Sequence, residues 1–207
     1  KYRYSCLNFI SLQKVVEAII GEDINTYMRN KLYRPLGNNT MGWLPADSLL
    51  DRIAPTECTD DVCIIGDVHD PLARIMMTGV SGNAGLFSNA RDVAKVYQML
   101  VDGGQYEGKR YLSLETCQLF MNKKSRISRR ALGFDRPDPQ PDKGPCADEA
   151  PKEVVGHTGF TGTCAWADPK NGLVFVFISN RIYPRPFDHK GLMTLKIRPR
   201  IQQLMYQ

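Results

Sequence analysis

The sequence lacks any apolar run that approaches the ~20 residues of a membrane-spanning helix, which excludes a protein built on such helices. It also lacks an initiator methionine and a basic segment followed by an apolar one, so no signal peptide is recognisable. We therefore expect a mature product or a fragment of a longer protein. Internal repeats and low-complexity tracts are absent too, which excludes repeat architectures. At 207 residues the chain can bury a core and form one domain, or most of one.

Closely spaced cysteine pairs of the zinc-binding type are also missing. The six cysteines are Cys6, Cys58, Cys63, Cys117, Cys146 and Cys164, and none of them forms a Cys-x-x-Cys pair. Cys58 and Cys63 could bridge a loop, but scattered free or buried thiols are the expected state. Cysteine usage alone does not assign a cellular compartment.

The excess of positive charge is small and local. The formal net charge is +5, and much of the excess lies in residues 123–130, which read Lys-Lys-Ser-Arg-Ile-Ser-Arg-Arg. A nucleic-acid patch would be accompanied by a recognisable binding module or by aromatic residues that stack on bases, and neither is present. We interpret the run as a solvated surface segment before a loop and expect no nucleic-acid partner.

Helical periodicity dominates the first two thirds of the chain. Residues 7–20 form an amphipathic pattern whose apolar face contains Leu12, Val15, Val16, Ile19 and Ile20. A second helix is predicted from Asp23 to about residues 35–37, and residues 38–85 are predicted to be irregular. The pair Ser88-Asn89 is a helix N-cap signal, and the helix that follows has the stripe Val93, Val96, Tyr97, Leu100 and Val101. A short helix is expected over residues 113–121.

The last third contains the strands. Residues 136–152 are crowded with proline and aspartate and predict a loop. Residues 163–167 and 173–179, joined by a turn at 168–172, predict an antiparallel hairpin. The tail from residue 188 predicts a helix broken at Pro199. The pattern as a whole predicts an α+β fold, in which helices pack on an antiparallel sheet.

The residues best suited to chemistry precede this hairpin. Residues 156–163 read Gly-His-Thr-Gly-Phe-Thr-Gly-Thr. The hydroxyl of Thr158 and the ring of His157 can bond a substrate, and Gly159 lets a carbonyl group approach the backbone closely. Such a strand edge can form one wall of an acyl-transfer site. The segment Tyr4-Ser5-Cys6 is the second candidate piece.

Several motifs, taken in order, resemble the serine β-lactamase and penicillin-binding-protein-like hydrolases, and in particular the branch of class C β-lactamases, DD-peptidases and esterases. The matching segments are residues 4–9 (Tyr-Ser-Cys-Leu-Asn-Phe), Pro35-Leu36-Gly37 with Thr40, Val68-His69-Asp70-Pro71, Gly85-Leu86-Phe87-Ser88 through Asp92, Leu132-Gly133-Phe134, His157-Thr158-Gly159, and Ser179-Asn180-Arg181 with Tyr183-Pro184. The resemblance covers nearly the whole chain. It implies a β-lactamase/transpeptidase-like fold whose N-terminal part is not in this sequence.

The resemblance also implies roles for individual residues. The family uses a Ser-x-x-Lys helix, a Tyr-x-Asn element and a Lys-Thr-Gly or His-Thr-Gly strand. Tyr4 would transfer protons, and His157 would share that catalytic network. Cys6, Thr158, Gly159 and Phe160 would bind substrate, with the backbone N–H of Phe160 as an oxyanion donor. Cys6 departs from the usual asparagine, and His157 departs from the lysine of penicillin-hydrolysing members.

The nucleophile is the missing element. Ser11-Leu12-Gln13-Lys14 fits the string Ser-x-x-Lys, but Lys14 is predicted to lie opposite the apolar face of its helix. A catalytic lysine needs desolvation to lose its proton, so a solvated Lys14 is unsuited to the role. We expect the serine and lysine on sequence upstream of Lys1.

Several of the candidate residues also fit a purely structural role. Tyr4 could be a half-buried aromatic residue at a helix entry, and His157 could be a structural histidine. His69 and Asp70 could suggest a metal or an acid/base pair, but a loop-ordering hydrogen bond is preferred. Cys6 is expected to be a small packed residue and not a nucleophile. Asn180 and Arg181 could bind substrate, but strand-end packing and a surface salt bridge are preferred.

The sequence therefore predicts a serine hydrolase that acts on an ester or amide by acyl transfer and is inactive without its upstream part. The alternative is a non-catalytic binding or scaffold module, fused to another enzyme such as a glycosidase. We expect one partial domain over 1–207, with a helical and irregular lobe over 23–130 and a sheet-and-helix part formed by 131–207 and 1–20. No metal or cofactor is implied. The resemblance implies a small-molecule or peptidoglycan-like substrate and a periplasmic or extracellular location, and a homodimer would cover an exposed sheet edge.

Overall fold

The computed structural model describes residues 2–186 and 190–207, and the chain divides into two compact units. The first unit contains Arg3–Asp92 and the short segment that begins at Ile182. The second contains Val93–Arg181 and the helices at the C-terminus. Each unit combines helices with small antiparallel sheets, so the expected α+β fold is confirmed.

A three-stranded antiparallel sheet organises the second unit. Its strands are β5 (Val155–Thr158), β6 (Cys164–Asp168) and β7 (Leu173–Phe177), in the order β5-β6-β7. The turn between β6 and β7 is held by Asp168, whose carboxylate accepts hydrogen bonds from the backbone of Lys170 and Asn171. The predicted hairpin is confirmed, although β7 ends at Phe177 and not at residue 179.

The core of this unit forms between the sheet and a loop. Trp166 is 1% exposed and packs in a cluster with Cys146, Ala147, Ala150, Val154 and Cys164. Three members of that cluster come from the proline-rich segment 136–152, which has no helix or strand, as predicted. Arg136 holds the same segment in place by donating to the carbonyl oxygens of Met121 and Lys152. Irregular backbone therefore supplies part of the core here.

The other elements of this unit follow the predicted periodicity. Helix α4 spans Ala90–Val101, and Asn89 caps it by accepting a hydrogen bond from the backbone N–H of Asp92. A two-stranded ribbon, β3 (Gln105–Tyr106) and β4 (Lys109–Arg110), leads to α5 (Leu114–Asn122). Ser113 caps α5 through the N–H of Thr116. Both predicted helices are confirmed.

The C-terminal helices correct one prediction. They are α6 (Gly191–Thr194) and α7 (Ile197–Gln203), followed by a 3-10 turn over Leu204–Tyr206. The break falls at residues 195–196, and Pro199 lies in the first turn of α7. Backbone N–H groups in a first turn have no partner within the helix, so a proline is tolerated there. The predicted start at residue 188 lies outside the described residues.

The first unit begins with two helices. Helix α1 spans Leu7–Ile20, and Gly21 is its C-terminal cap, as predicted. Asp23 caps α2 (Ile24–Met28), which continues as a π-helix over Arg29–Tyr33. Residues 38–85 are largely irregular, with a 3-10 helix over Asp47–Arg52 and a short hairpin of β1 (Cys58–Thr59) and β2 (Val62–Cys63).

One helix in the first unit escaped prediction. Helix α3 spans Pro71–Met77 within the segment that was expected to be irregular. Its seven residues are too few to show a periodic pattern. Its start carries a recognisable signal, since Asp70 caps the helix through the N–H of Ala73 and Pro71 occupies the first helical position.

Three residues of the predicted apolar face of α1 are exposed, although Lys14 is solvated as predicted. Leu12, Val15 and Ile19 are 51%, 55% and 78% exposed, whereas Gln13 is 3% exposed. Gln13 is buried because it donates to the carbonyl oxygen of Val80 and accepts from the N–H of Gly82. Helix α1 therefore buries Gln13 and Ile10, whereas Leu12, Val15 and Ile19 are exposed.

Among the residues that the structure describes, every helix is too short or too polar to reach across a bilayer.

Candidate functional site

Strand β5 places the predicted His-Thr-Gly segment at the end of the sheet. His157 pairs with Ala165 and Thr158 with Cys164, and both side chains are half-buried. The preceding Gly156 must be glycine, because a Cβ atom there would lie 2.1 Å from the carbonyl oxygen of Ala165. Close packing against β6 thus fixes the backbone from which His157 projects.

The turn after β5 is held by several hydrogen bonds. The N–H of Gly159 donates to the carbonyl oxygen of Thr163 at 2.7 Å, and a Cβ at Gly159 would lie 2.4 Å from Thr163 Oγ1. The carbonyl oxygen of Gly162 accepts from Ser179 Oγ at 2.9 Å and from the buried guanidinium of Arg198 at 3.2 Å. These contacts make the end of the strand a defined platform.

Phe160 lies at the tip of this turn and is 56% exposed. The guanidinium of Arg181 lies over its ring, 4.6 Å from the centroid, in a cation–π contact. The N–H of Arg181 also donates to the carbonyl oxygen of Thr161. Arg181 therefore stabilises the turn by packing on the Phe160 ring. The sequence had predicted a surface salt bridge for this arginine.

His157 has a hydrogen-bond partner at each ring nitrogen. Its Nε2 lies 2.7 Å from Nη1 of Arg130, and its Nδ1 lies 2.7 Å from the carbonyl oxygen of Thr158. Sequence analysis missed this arginine, because it closes the basic run that was interpreted as solvated. That interpretation is correct for the exposed residues Lys123, Lys124 and Arg126 and wrong for Arg130.

A compact charge cluster lies behind this contact. Asp135, whose side chain is 3% exposed, binds Arg129 through two hydrogen bonds of 2.7 and 2.9 Å and contacts Arg130 at 3.2 Å. Asp138 contacts Arg129 from the other side at 3.3 Å. The carboxylate of Asp135 raises the pKa of Arg129 above its ordinary value. The cluster therefore contains two cations and two anions.

Local sequence explains how these residues meet. The N–H of Ala131 donates to the carbonyl oxygen of Phe134, and Gly133 adopts φ +78°, so the chain reverses over residues 131–134. Asp135 then exchanges two backbone hydrogen bonds with Gly156, the residue before His157. A tight turn after two arginines, followed by an aspartate, is the signal that would have revealed the cluster.

The Tyr4 segment lies in the other unit, at the entry to α1. Tyr4 is 58% exposed, and Cys6 is half-buried at the N-terminal cap position, where its side chain makes no capping hydrogen bond. The structure thus brings His157, Thr158, Gly159 and Phe160 together in one unit and Tyr4 and Cys6 in the other. The convergence of the two groups stays a prediction.

His69 and Asp70 have the ordering roles that were preferred. His69 Nε2 lies 2.7 Å from Glu57 Oε2, and Asp70 caps α3. No group of three or more potential metal ligands occurs among the described residues.

The cysteines correct another expectation. Cys58 and Cys63 form a disulfide across the β1–β2 hairpin, so the expected thiol state is wrong for this pair. The other four cysteines are free, and burial raises the pKa of Cys164 to about 11 and that of Cys146 to about 12. Thiols that stay protonated at neutral pH are poor nucleophiles.

These buried thiols predict a loss of stability in alkaline solution. Between pH 9 and 11 the unfolded chain releases thiol protons that the folded chain retains, so the free energy of unfolding falls as pH rises. The slope is up to ~1.4 kcal/mol per pH unit for each thiol. Urea unfolding at pH 7.5, 9 and 10 measures it. Cys164→Ala should flatten the slope above pH 9, and an unchanged slope would contradict the assignment.

Comparison with known proteins places these elements in context. The sequence matches the family model described as Beta-lactamase over residues 1–196. A putative D-alanyl-D-alanine carboxypeptidase from Escherichia coli O157:H7 is 33% identical over 199 residues, which cover 87% of this chain and 45% of that protein. The chain spans about half the length of the relatives it matches.

Solved structures share the fold. EstCE1, a hydrolase with promiscuous acyltransferase activity, matches with a TM-score of 0.68 and 19% identity, covering 100% of this chain and 56% of that one. A β-lactamase from Mycobacterium bovis matches with a TM-score of 0.64 and 18% identity, covering 98% of this chain and 62% of that one. The expected β-lactamase/transpeptidase-like fold is confirmed.

Proposed function

Because the chain belongs to the β-lactamase family, we propose that it is the C-terminal part of a serine hydrolase. That enzyme transfers the acyl group of an ester or amide to a serine and then to water. The observation that carries the proposal is the platform at the end of β5, where His157, Thr158 and Gly159 are fixed next to a turn held by Ser179 and Arg198. A pre-ordered strand edge can align a substrate carbonyl without reorganisation at the moment of reaction.

Each predicted site residue has a role in this proposal. Tyr4 transfers the proton between the serine and the leaving group. Thr158 and Gly159 hold the substrate along β5, and the N–H of Phe160 donates to the oxyanion. The resemblance implies that Cys6 binds substrate and that His157 orients it.

The nucleophile belongs to sequence outside the chain. Lys14 Nζ pairs with Glu17 Oε2 at 3.0 Å, and the Lys14 side chain is 63% exposed. A lysine that activates a serine lies in a desolvated environment, and the exposed Lys14 does not. Ser11 is exposed as well. The chain alone is therefore inactive in this proposal.

A peptidoglycan-like peptide is the proposed substrate. It is supported by relatives named D-alanyl-D-alanine carboxypeptidase and by one from Bacillus subtilis named N-acetylmuramyl-L-alanine amidase. A substrate in the cell envelope implies a periplasmic or extracellular location, and the Cys58–Cys63 disulfide fits an oxidising compartment. The homodimer and the division into lobes at residues 23–130 and 131–207 stay predictions.

A second candidate function is a binding or scaffold module that retains the hydrolase fold. The observation that favours it is Cys6, a half-buried thiol at the position where the family has an asparagine amide. A thiol is a weak hydrogen-bond donor and acceptor, so it holds a substrate less firmly than an amide.

Covalent labelling tests the proposal. A fluorophosphonate or penicillin probe is expected to leave the 207-residue chain unlabelled and to label one serine upstream of Lys1 in the longer protein. Intact-mass and peptide mass spectrometry locate the modification, with Ser11→Ala as the control. Stoichiometric labelling at Ser11 would contradict the assignment of the nucleophile, and a longer protein that no probe labels would favour the scaffold module.

A further inference from the structure

The hydrogen bonds of His157 determine which of its ring nitrogens carries the proton. A guanidinium group only donates, so Nε2 must accept the hydrogen bond from Arg130 and carries no proton. A carbonyl oxygen only accepts, so Nδ1 must donate to Thr158 and carries the proton. The two contacts are satisfied together by a neutral imidazole with its proton on Nδ1.

We propose that Arg130 is a positioning residue that holds His157 in this neutral Nδ1–H tautomer. Arg130 is itself located by Asp135, which contacts its Nη2 at 3.2 Å. Asp135 in turn shares backbone hydrogen bonds with Gly156, the neighbour of His157 on β5. Arg130 and His157 are thus both tied to strand β5, Arg130 through Asp135 and His157 through its own backbone.

The charge balance of the cluster supports a positioning role for Arg130. Arg129 and Arg130 are matched by Asp135 and Asp138, so the four side chains have no formal net charge. A balanced cluster attracts anions weakly, and the contact of Arg130 with the imidazole is directed at the platform. Arg130 therefore acts through His157.

The tautomer restricts what His157 can do chemically. With Nε2 occupied by a donor and Nδ1–H bonded to the backbone, the ring cannot take up a substrate proton while Arg130 stays in place. His157 then acts as a fixed wall of the site, and proton transfer is left to Tyr4. This consequence for turnover rests on the proposed function, whereas the tautomer itself does not.

Nitrogen NMR of histidine measures the tautomer directly. The chain has three histidines, and His69, bonded to Glu57, serves as an internal reference. In protein labelled with 15N-histidine, the resonances lost in His157→Asn identify the ring. We expect a protonated Nδ1 and an unprotonated Nε2 at neutral pH. A protonated Nε2 on His157 in the unsubstituted chain would overturn the proposal without any variant.

Removing the guanidinium of Arg130 tests whether Arg130 determines the tautomer of His157. Arg130→Met should move the proton of His157 toward Nε2, which then loses the donor that faces it, and should leave the His69 signals unchanged. Arg126→Met removes the same charge from an exposed arginine of the same basic run and should leave His157 unchanged. An Nδ1–H signal that persists in folded Arg130→Met would show that Thr158 alone sets the tautomer. If that variant does not fold, Arg130→Lys, which keeps the charge but not the fork geometry, takes its place.

Because the NMR readout requires no turnover, its outcome is separate from the labelling experiment. A chain with the expected tautomer whose longer form no probe labels would refute the proposed function and leave the role of Arg130 standing. A longer protein that the probe labels, but whose His157 carries its proton on Nε2, would support the proposed function and refute the role of Arg130.

Discussion

Replacing Asp135 with alanine is expected to lower the free energy of unfolding by ~3 kcal/mol, at the low end of the cost of breaking a buried ion pair. The side chain of Asp135 is 3% exposed and receives two hydrogen bonds from Arg129 and a contact from Arg130. Its loss removes an ion-pair partner from both cations. The cost stays at the low end because Arg129 and Arg130 keep 32% and 23% exposure and can draw on water.

Urea unfolding followed by circular dichroism measures this effect, and Asp138→Ala is the matched control. Asp138 contacts Arg129 at 3.3 Å and is 20% exposed, so its removal should cost ~1 kcal/mol or less. Equal stabilities of the two variants would show that the cluster contributes no more than a surface pair. Asp135→Ala should also alter the His157 nitrogen signals, because Arg130 loses its anchor.

Replacing Tyr4 with phenylalanine in the longer protein is expected to slow the turnover of a chromogenic ester by ~10²-fold or more, the scale of a lost acid–base group. Tyr4 is 58% exposed, so removal of its hydroxyl should leave the free energy of unfolding nearly unchanged. The reduction should appear in kcat and not in KM, since proton transfer belongs to the chemical step.

The chain offers a close control for this experiment. Tyr2 lies two residues earlier and is 42% exposed, and Tyr2→Phe removes the same atom from the same short segment. Only Tyr4→Phe should affect turnover. Near-normal rates for Tyr4→Phe would remove Tyr4 from the mechanism.

Local signals predicted the elements well. The β6–β7 hairpin was predicted because the turn sequence Asp-Pro-Lys-Asn-Gly over residues 168–172 separates a weakly alternating segment from an apolar run. The helix predicted over residues 113–121 corresponds to α5, which Ser113 caps. These features act over a few residues and need no knowledge of the rest of the fold. The platform residues of β5 were found for a similar reason, since His157, Thr158 and Gly159 are consecutive.

Long-range partners were harder to predict. Periodicity showed that α1 has an apolar face but not which face is buried. Gln13 is buried because its side chain forms hydrogen bonds with the backbone of Val80 and Gly82, far away in the sequence. The partner of His157 lies 27 residues away, beyond a loop whose composition indicated only solvent exposure. Sequence patterns indicate which residues favour burial, whereas tertiary contacts determine which of them are buried in the folded protein.

The outward face of α1 has a practical consequence for anyone who purifies this polypeptide. The helix exposes an apolar strip formed by Leu12, Val15 and Ile19. Such a strip favours concentration-dependent self-association and the binding of fluorescent hydrophobic dyes. Light scattering at rising protein concentration, with and without Ile19→Lys, would reveal it. Ile19→Lys is expected to lower the scattering at every concentration, because it places a charge within the exposed apolar strip.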